Sequence, residues 1–318
     1  MNVMPVIAIH GGAGTLLRQA MNTETEARYH AALDEILRAG QKVLADGGSA
    51  LDAVTEAVRL LENCPLFNAG HGAVFTAAGT HELDASIMDG ATLEAGAICC
   101  VTRVKNPVLA ARRVLEVSEH VMFTADGAEA FARAQGLEFV EPSYFHTDAR
   151  YEQWQKARGT SSTMLDHDAM TKFSFSNDPI DPDKKFGAVA LDAHGHLAAA
   201  TSTGGMTNKQ PGRVGDAPMI GAGCYANDVT CAVSTTGTGE MFMRMLAAYD
   251  VSAQMEYLGV SLDKAARDVV MNKLPRIAGR GGLIAVDAKG NVVLPFNTEG
   301  MYRGHARMGE APVTAIYR

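Results

Sequence analysis

An arginine and an aspartate stand three residues apart in the glycine-rich stretch "PGRVGDAP", at Arg213 and Asp216. A guanidinium binds a carboxylate through two parallel hydrogen bonds, and a carboxylate accepts hydrogen bonds from an ammonium group. Together the two side chains suit the α-carboxylate and the α-ammonium of an amino acid. The alternative is a surface ion pair, which is the commoner outcome for an isolated arginine and aspartate.

Three clusters of glycine and threonine are candidates for the same pocket. "HGGAG" follows an apolar run, "TSTGG" contains Thr203, and "STTGTGE" contains Thr236, Gly237 and Gly239. Backbone amides in such loops can point at an oxyanion. Each cluster also has a purely structural interpretation, as a tight turn or a helix N-cap. "HGGAG" alone is weak evidence for an anion-binding loop, because it lacks both the GxGxxG spacing of dinucleotide sites and the lysine of a P-loop.

A fourth cluster, "FNAGHGAV", follows a helical pattern that ends at Pro65. By itself it is most simply a helix stop. His71 within it suggests a metal ligand, but the sequence has no second histidine or carboxylate at helical ligand spacing from it. We therefore do not expect a transition-metal site here.

Composition narrows the class of protein. The chain has 318 residues, 47% of them hydrophobic and 20% charged, with a net charge of −8, which argues against a general nucleic-acid binder. No apolar run approaches the length of a membrane span, and the N-terminal stretch does not match a signal peptide. Five cysteines without a CxxC pair suit a reducing compartment. These features predict a cytoplasmic protein with neither nucleic-acid nor membrane partners.

The order of elements predicts packed sheets. Residues 23–45 and "GGSALDAVTEAVRLLENCP" show helical patterns, and in the second Ser49 and Asp52 form a potential capping box. Residues 187–206 and 282–301 resemble each other, each as a strand, an Asp-Ala-x-Gly turn and a strand. Strands grouped together, with helices grouped between them, favour sheets that pack face to face and are covered by helices.

The character of the chain changes in its middle. Residues 160–186 are mostly polar, contain two prolines and lack periodicity, which predicts a flexible linker. We expect one domain over residues 1–318, with a first part at 1–159 and a second part at 187–318.

Several longer motifs together resemble one family over nearly the whole chain. The sequence is similar to the plant-type L-asparaginase and isoaspartyl-peptidase family of N-terminal nucleophile (Ntn) hydrolases. The motifs that carry this resemblance are "IAIHGGAG", "CPLFNAGHGAV", "HELDASIMDG", "GAVALD", "AAATSTGGMTNK", "PGRVGDAPMIGAGCYA", "TGTGE" and "GGLIAVDAKGNVVLPFNTEGMYRG".

The resemblance implies an α+β fold, a four-layer αββα sandwich. It also implies that the chain cuts itself after the linker and frees an N-terminal threonine. The amine of this residue acts as base for its own hydroxyl, since an α-amine has a pKa near neutrality. The implied substrates are asparagine and β-aspartyl dipeptides. The implied assembly is a dimer of precursors, or an (αβ)2 heterotetramer after processing, and no organic cofactor is expected.

The resemblance also assigns roles to residues. Thr203 would hydrogen-bond the nucleophile, and Arg213 and Asp216 would clamp the α-carboxylate and α-ammonium of the substrate. Asn68 and Gly239 would contact the substrate, and Thr236 with Gly237 would form the oxyanion hole. A structural Na⁺ would be held by backbone carbonyls, for which oxygen ligands are suited. The implied carbonyl donors are Leu61, Glu62, Cys64, Phe67, Ala69 and His71.

One departure from the family pattern affects the chemistry. Family members carry the nucleophile in a "GTVGAVALD"-like context, whereas this chain reads "KKFGAVALD". Without a gap, Lys185 replaces the threonine; with a gap, which we favour, Gly-Thr-Val is missing between Phe186 and Gly187. Either alignment predicts an unprocessed, inactive form. The alternatives are a non-catalytic relative that binds aspartate-like ligands, and a glycosylasparaginase or taspase-like protease, which would share the same defect.

Overall fold

Two β-sheets pack face to face between two layers of helices in the computed structural model, which describes residues 3–159 and 185–318. The α+β fold, a four-layer αββα sandwich, is confirmed. Residues 160–184 of the predicted linker lie outside the described residues. Of the linker's last two residues, Lys185 is buried and Phe186 is the first residue of a strand.

The first part contains four strands and five helices within the described residues. They are β1 (Val6–Gly14), α1 (Thr23–Ala45), α2 (Ala50–Asn63), β2 (Leu83–Asp89), β3 (Ala95–Val101), α3 (Pro107–Val117), β4 (Met122–Thr124), α4 (Ala125–Ala134) and α5 (Asp148–Gly159). Short 3-10 turns cover Arg18–Ala20 and Pro142–Phe145.

The second part supplies the remaining strands and a second group of helices. They are β5 (Phe186–Leu191), β6 (Leu197–Thr203), β7 (Cys224–Ala226), β8 (Cys231–Gly237), α6 (Gly239–Met245), α7 (Ala247–Leu258), α8 (Leu262–Arg267), β9 (Gly281–Asp287), β10 (Val292–Val293), β11 (Gly300–Arg307) and β12 (Val313–Tyr317). A π-helical turn at Asp268–Lys273 and a 3-10 turn at Leu274–Ile277 follow α8. None of the described helices is long and apolar enough to cross a bilayer.

The larger sheet has the strand order β12-β11-β1-β5-β6-β2-β3-β4, and the smaller has the order β10-β9-β8-β7. Neighbouring strands are antiparallel except for β3 and β4. In β5, Ala188 and Ala190 face the helical layer, while Val189 and Leu191 face the smaller sheet. This alternation follows from the two-residue period of a strand, and it buries both faces of the larger sheet at its centre.

Local signals in the sequence set several boundaries. Helix α1 covers the predicted residues 23–45, and α2 begins with the predicted capping box, in which Ser49 and Asp52 bond each other's backbone amides. The two similar hairpins turn in the same way, because Asp192 and Asp287 each accept bonds of 2.9–3.0 Å from amides two and four residues later. The hairpins nevertheless lie in different sheets.

The head of β5 is wedged between three strands. Gly187 is paired with His10 of β1 and with Thr201 of β6. A Cβ atom at Gly187 would lie 2.1 Å from Ser234 Oγ of β8 and 2.5 Å from the carbonyl oxygen of Ala200. Only glycine fits where the two sheets approach so closely.

We expect Gly187→Ala to lower the free energy of unfolding by about 1–3 kcal/mol, because the added methyl group overpacks the space between the sheets. Gly127→Ala is the matched control, since Gly127 lies in α4 and an added Cβ meets nothing within 4 Å. The control should be neutral or slightly stabilising. Urea unfolding of both variants measures the difference, and equal stabilities would contradict the close approach.

Candidate active site

A narrow cleft lies where the ends of β6 and β8 meet the loop before β7 and the start of α6. The side chains and glycines that line it are Lys185, Thr203, Gly205, Met206, Arg213, Gly215, Asp216, Gly237 and Gly239. Five of the predicted site residues, all within residues 203–239, are therefore brought together in the cleft. The cleft has a free volume of about 10 Å³, roughly the room for one water molecule.

Asp216 is the buried acid of the cleft. Its side chain is fully buried, and Thr235 Oγ1 donates a hydrogen bond of 2.8 Å to its Oδ2. Its Oδ1 accepts from the Nζ of Lys185. A Cβ atom at Gly239 would lie 2.7 Å from Asp216 Oδ1, so any larger residue at this position would crowd the carboxylate.

Arg213 lies in the same cleft but is paired with another acid. Its Nε and Nη2 donate to the two carboxylate oxygens of Glu240, at 2.8 and 2.7 Å. Although burial raises the pKa of Glu240, the Arg213 charge brings it below its usual value. The prediction did not include Glu240; its position directly after "TGTG", in the first turn of α6, was the available signal.

Lys185 occupies the entrance to β5, two residues before Gly187. Its side chain is buried, with the Nζ bound to Asp216 and 5.1 Å from the ring centroid of Phe242. Burial lowers the pKa of Lys185, and the neighbouring Asp216 opposes part of this effect. In both alignments with the family pattern, with or without a gap, the side chain at this point of the cleft is the amine of a lysine.

Thr236 and Gly237 lie beside the backbone of Lys185. Thr236 Oγ1 donates to the carbonyl oxygen of Lys185 at 3.1 Å and accepts from the amide of Ala13 at 3.2 Å. Gly237 has φ of 130°, and a Cβ there would lie 2.1 Å from the carbonyl oxygen of Arg280. The "HGGAG" segment is not the predicted tight turn, since it forms the end of strand β1 and pairs with β11 as far as Gly14. It meets the "STTGTGE" segment at the head of β5.

A chain of polar side chains lies beneath the cleft, between the sheets. His10 Nε2 is 2.9 Å from Ser234 Oγ, which is 2.8 Å from Thr201 Oγ1, and Thr201 donates to the carbonyl of Gly223 at 3.0 Å. Burial and the charge of Lys185 lower the pKa of His10 to about 3, so its imidazole is neutral at physiological pH. No role was predicted for these three side chains, although each is the first residue of one of the three glycine and threonine clusters.

Asn68 and Thr203 hold the loop that forms one wall of the cleft. Asn68 donates from Nδ2 to the carbonyl of Gly205 at 2.6 Å and accepts at Oδ1 from the amide of Val74 at 2.9 Å. Thr203 Oγ1 accepts from the amide of Gly205 at 2.9 Å. Asn68 thus lies behind the wall, where its carboxamide is bonded to backbone.

The loop predicted to hold a cation folds around two glycines with positive φ, Gly70 at 54° and Gly72 at 128°. A Cβ at Gly70 would lie 2.2 Å from the Glu62 carbonyl oxygen, and one at Gly72 would lie 2.7 Å from that of Phe67. The carbonyl oxygens of Glu62 and Phe67, two of the six predicted donors, therefore lie directly against glycines of this loop, and oxygen ligands of this kind suit a hard cation. Within residues 3–159 and 185–318, no cluster of three or more histidine, cysteine or acidic side chains could hold a metal ion.

The side chain of Glu62 anchors this loop to the core. Its Oε1 accepts from Ser202 Oγ at 2.7 Å and from the amide of Val108 at 2.9 Å, and its Oε2 accepts from Asn106 Nδ2 at 3.1 Å. Burial raises the pKa of Glu62 to about 7. The carbonyl of the same residue accepts from the amide of His71 at 2.7 Å, which closes the loop.

Comparison with known proteins gives consistent results. A family model described as asparaginase matches residues 3–316. The chain is 60% identical over 316 residues to the isoaspartyl peptidase of Escherichia coli (strain K12), covering 98% of this chain and 96% of that protein. It is 50% identical over 327 residues to a putative isoaspartyl peptidase/L-asparaginase of Dictyostelium discoideum, covering 96% and 94%. It is 39% identical over 311 residues to the plant-type L-asparaginase of Pyrobaculum calidifontis, covering 96% and 98%. The chain therefore belongs to the asparaginase family.

Proposed function

We propose that this protein has the scaffold of an isoaspartyl peptidase and L-asparaginase, and that the chain as it stands is an unprocessed form without amidohydrolase activity. The observation that carries the second part is the lysine at the head of β5. The sequence Lys185-Phe186-Gly187 has no hydroxyl or thiol at the point where the family's threonine begins its strand.

The reason is chemical. Self-cleavage of this type needs a hydroxyl or thiol that attacks the carbonyl carbon of the preceding residue. Without cleavage no α-amine is released, so the cleft gains no base with a pKa near neutrality. The Thr201 hydroxyl is no substitute, since it is bonded to Ser234 and to the Gly223 carbonyl beneath the cleft.

The remaining groups retain a binding role in this proposal. Arg213 would take the α-carboxylate of an aspartate-like substrate, and Asp216 its α-ammonium. The Thr236 hydroxyl and the Gly237 amide would stabilise a developing oxyanion at the head of β5. The second candidate function, binding of aspartate-like ligands without turnover, is favoured by the presence of both Arg213 and Asp216 in one cleft.

We also propose a Na⁺ ion in the loop of residues 61–71, a dimer of precursor chains, and a cytoplasmic location. The ion is supported by the carbonyl oxygens of Glu62 and Phe67, two of the predicted donors, which lie beside Gly70 and Gly72 of this loop. The location is supported by the five cysteines, none of which forms a disulfide. When bound, the ion would supply a fixed charge that holds this loop beside Asn68.

Intact mass and ammonia release test the missing nucleophile. The chain as it stands should remain one polypeptide of 33.7 kDa and should release no ammonia from asparagine. Insertion of Gly-Thr-Val between Phe186 and Gly187 should give two subunits and restore turnover, because it supplies both the nucleophile and the amine. The control is Gly-Ala-Val at the same place, which lengthens the chain without a hydroxyl. Two subunits from the unmodified chain would mean that another residue acts as nucleophile.

Arg213 is tested in the Gly-Thr-Val variant. Arg213→Ala should reduce kcat/KM for a β-aspartyl dipeptide by the equivalent of about 2–4 kcal/mol, because the substrate carboxylate loses a charged partner in a mostly closed cleft. Arg276, which is exposed in the 3-10 turn after α8, provides the control Arg276→Ala and should leave the rate unchanged. Equal rates for both variants would remove Arg213 from the clamp.

The cation is tested by thermal unfolding in sodium chloride and in choline chloride at equal ionic strength. Sodium should raise Tm, because an ion that binds only the native state stabilises it. His71→Ile should keep this difference, since the backbone supplies the ligands. Gly70→Ala should abolish it, because a side chain would displace the Glu62 carbonyl. If His71→Ile had the same Tm in both salts, the imidazole would be a ligand. If the original chain had the same Tm in both salts, the proposed ion would be refuted.

A further inference from the structure

We propose that Lys185 is a tethered competitor, whose ammonium group occupies the subsite that the α-ammonium of an amino-acid ligand would take at Asp216. This inference rests on the proposed function in one respect, since it takes Asp216 to be the acid that receives the ligand's ammonium. The contact between Lys185 Nζ and Asp216 Oδ1 carries it.

The burial of both partners makes the contact specific. The side chain of Asp216 is 0% exposed and that of Lys185 is 6% exposed. A buried carboxylate needs a cation or hydrogen-bond donors, and Thr235 supplies a donor only to the other oxygen, Oδ2. Lys185 provides the same chemical group that an amino acid would bring, from the same molecule.

The surroundings of Lys185 favour this position over an extended one in solvent. Its Nζ is 5.1 Å from the centroid of the Phe242 ring, which attracts a cation. The free volume left in the cleft is about 10 Å³, enough for one water and too small for an amino acid. A ligand must therefore displace the Lys185 side chain before it reaches Asp216.

The other half of the clamp carries an internal partner as well. The Arg213 guanidinium is held by both carboxylate oxygens of Glu240, at 2.8 and 2.7 Å. Lys185 and Glu240 thus present one ammonium and one carboxylate to the two residues of the clamp. The ammonium of Lys185 and the carboxylate of Glu240 thus take the places that the two charged groups of an amino-acid ligand would take in the cleft.

Calorimetry of aspartate binding tests the competition. A group tethered this closely acts at an effective concentration of millimolar or above, so Lys185→Ala should tighten aspartate binding by about tenfold or more. The same substitution should not tighten the binding of succinate, which lacks the ammonium group, because the freed Asp216 carboxylate repels it. Lys289→Ala, at an exposed turn between β9 and β10, is the control and should bind like the original chain. Equal aspartate affinity in Lys185→Ala and the original chain would overturn the proposal, as would an equal gain for succinate.

Amine labelling followed by peptide mass spectrometry gives a second measurement on the folded chain. Lys185 should be protected in the original chain while Lys289 reacts. Asp216→Asn should raise the labelling of Lys185, and saturating aspartate should raise it in the original chain. Rapid labelling of Lys185 in the original chain without ligand would overturn the proposal, because the amine would then be free in solution.

The two proposals fail in different ways. If the Gly-Thr-Val variant turns over substrate while Lys185→Ala gains no aspartate affinity, the competition is overturned and the proposed function stands. If that variant is inactive while Lys185→Ala gains affinity for aspartate and not for succinate, the competition stands and the peptidase assignment fails.

Discussion

The two-residue period of β5 is the constraint on which the site depends. Gly187 faces the smaller sheet, where a Cβ would meet Ser234. Residue 185, two positions earlier, faces the same side, and that side holds Asp216 and the start of α6. The pairing of Gly187 with His10 and Thr201 fixes this register from both edges. Whatever residue precedes Gly187 by two positions must therefore place its side chain in the cleft, whether it is a nucleophile or an amine.

The same constraint explains how charge is distributed around the cleft. A buried carboxylate at Asp216 is costly without a cation, and a buried amine at Lys185 is costly without an acid. Each offsets the desolvation of the other, as Arg213 and Glu240 do at the cleft's outer side. His10 is left neutral beneath them because its own burial and the charge of Lys185 both disfavour an imidazolium. The charged side chains of the cleft are in this way paired with other charges of the same chain.

Local patterns predicted several elements and turns, and the predicted site residues include five of the nine that line the cleft, but the side-chain pairings were not predicted. The capping box at Ser49, the bounds of α1 and the Asp192 and Asp287 turns follow from short-range rules. The convergence of Thr203, Arg213 and Gly239 followed from the resemblance to the family. The hydrogen-bond partners were not predicted. Arg213 donates to Glu240, and Asn68 donates to a backbone carbonyl in the wall of the cleft. Such pairings join segments far apart in the chain, and they depend on side-chain directions that spacing alone does not encode.

The entrance to β5 fits the fold because both of its side chains find buried positions that suit them. Phe186 faces the helical layer, where it is fully buried and its ring lies 6.2 Å from that of Phe67. In "GTVGAVALD" the valine occupies the same position relative to the glycine, so an apolar residue meets an apolar layer in both cases. Lys185 then takes the polar side, where Asp216 receives it. The register of β5 therefore requires an apolar residue at position 186 and, at position 185, a side chain that Asp216 can accept. In the proposed mechanism, catalysis requires a hydroxyl and its neighbouring amine at the same point, which is a stricter demand than the fold makes.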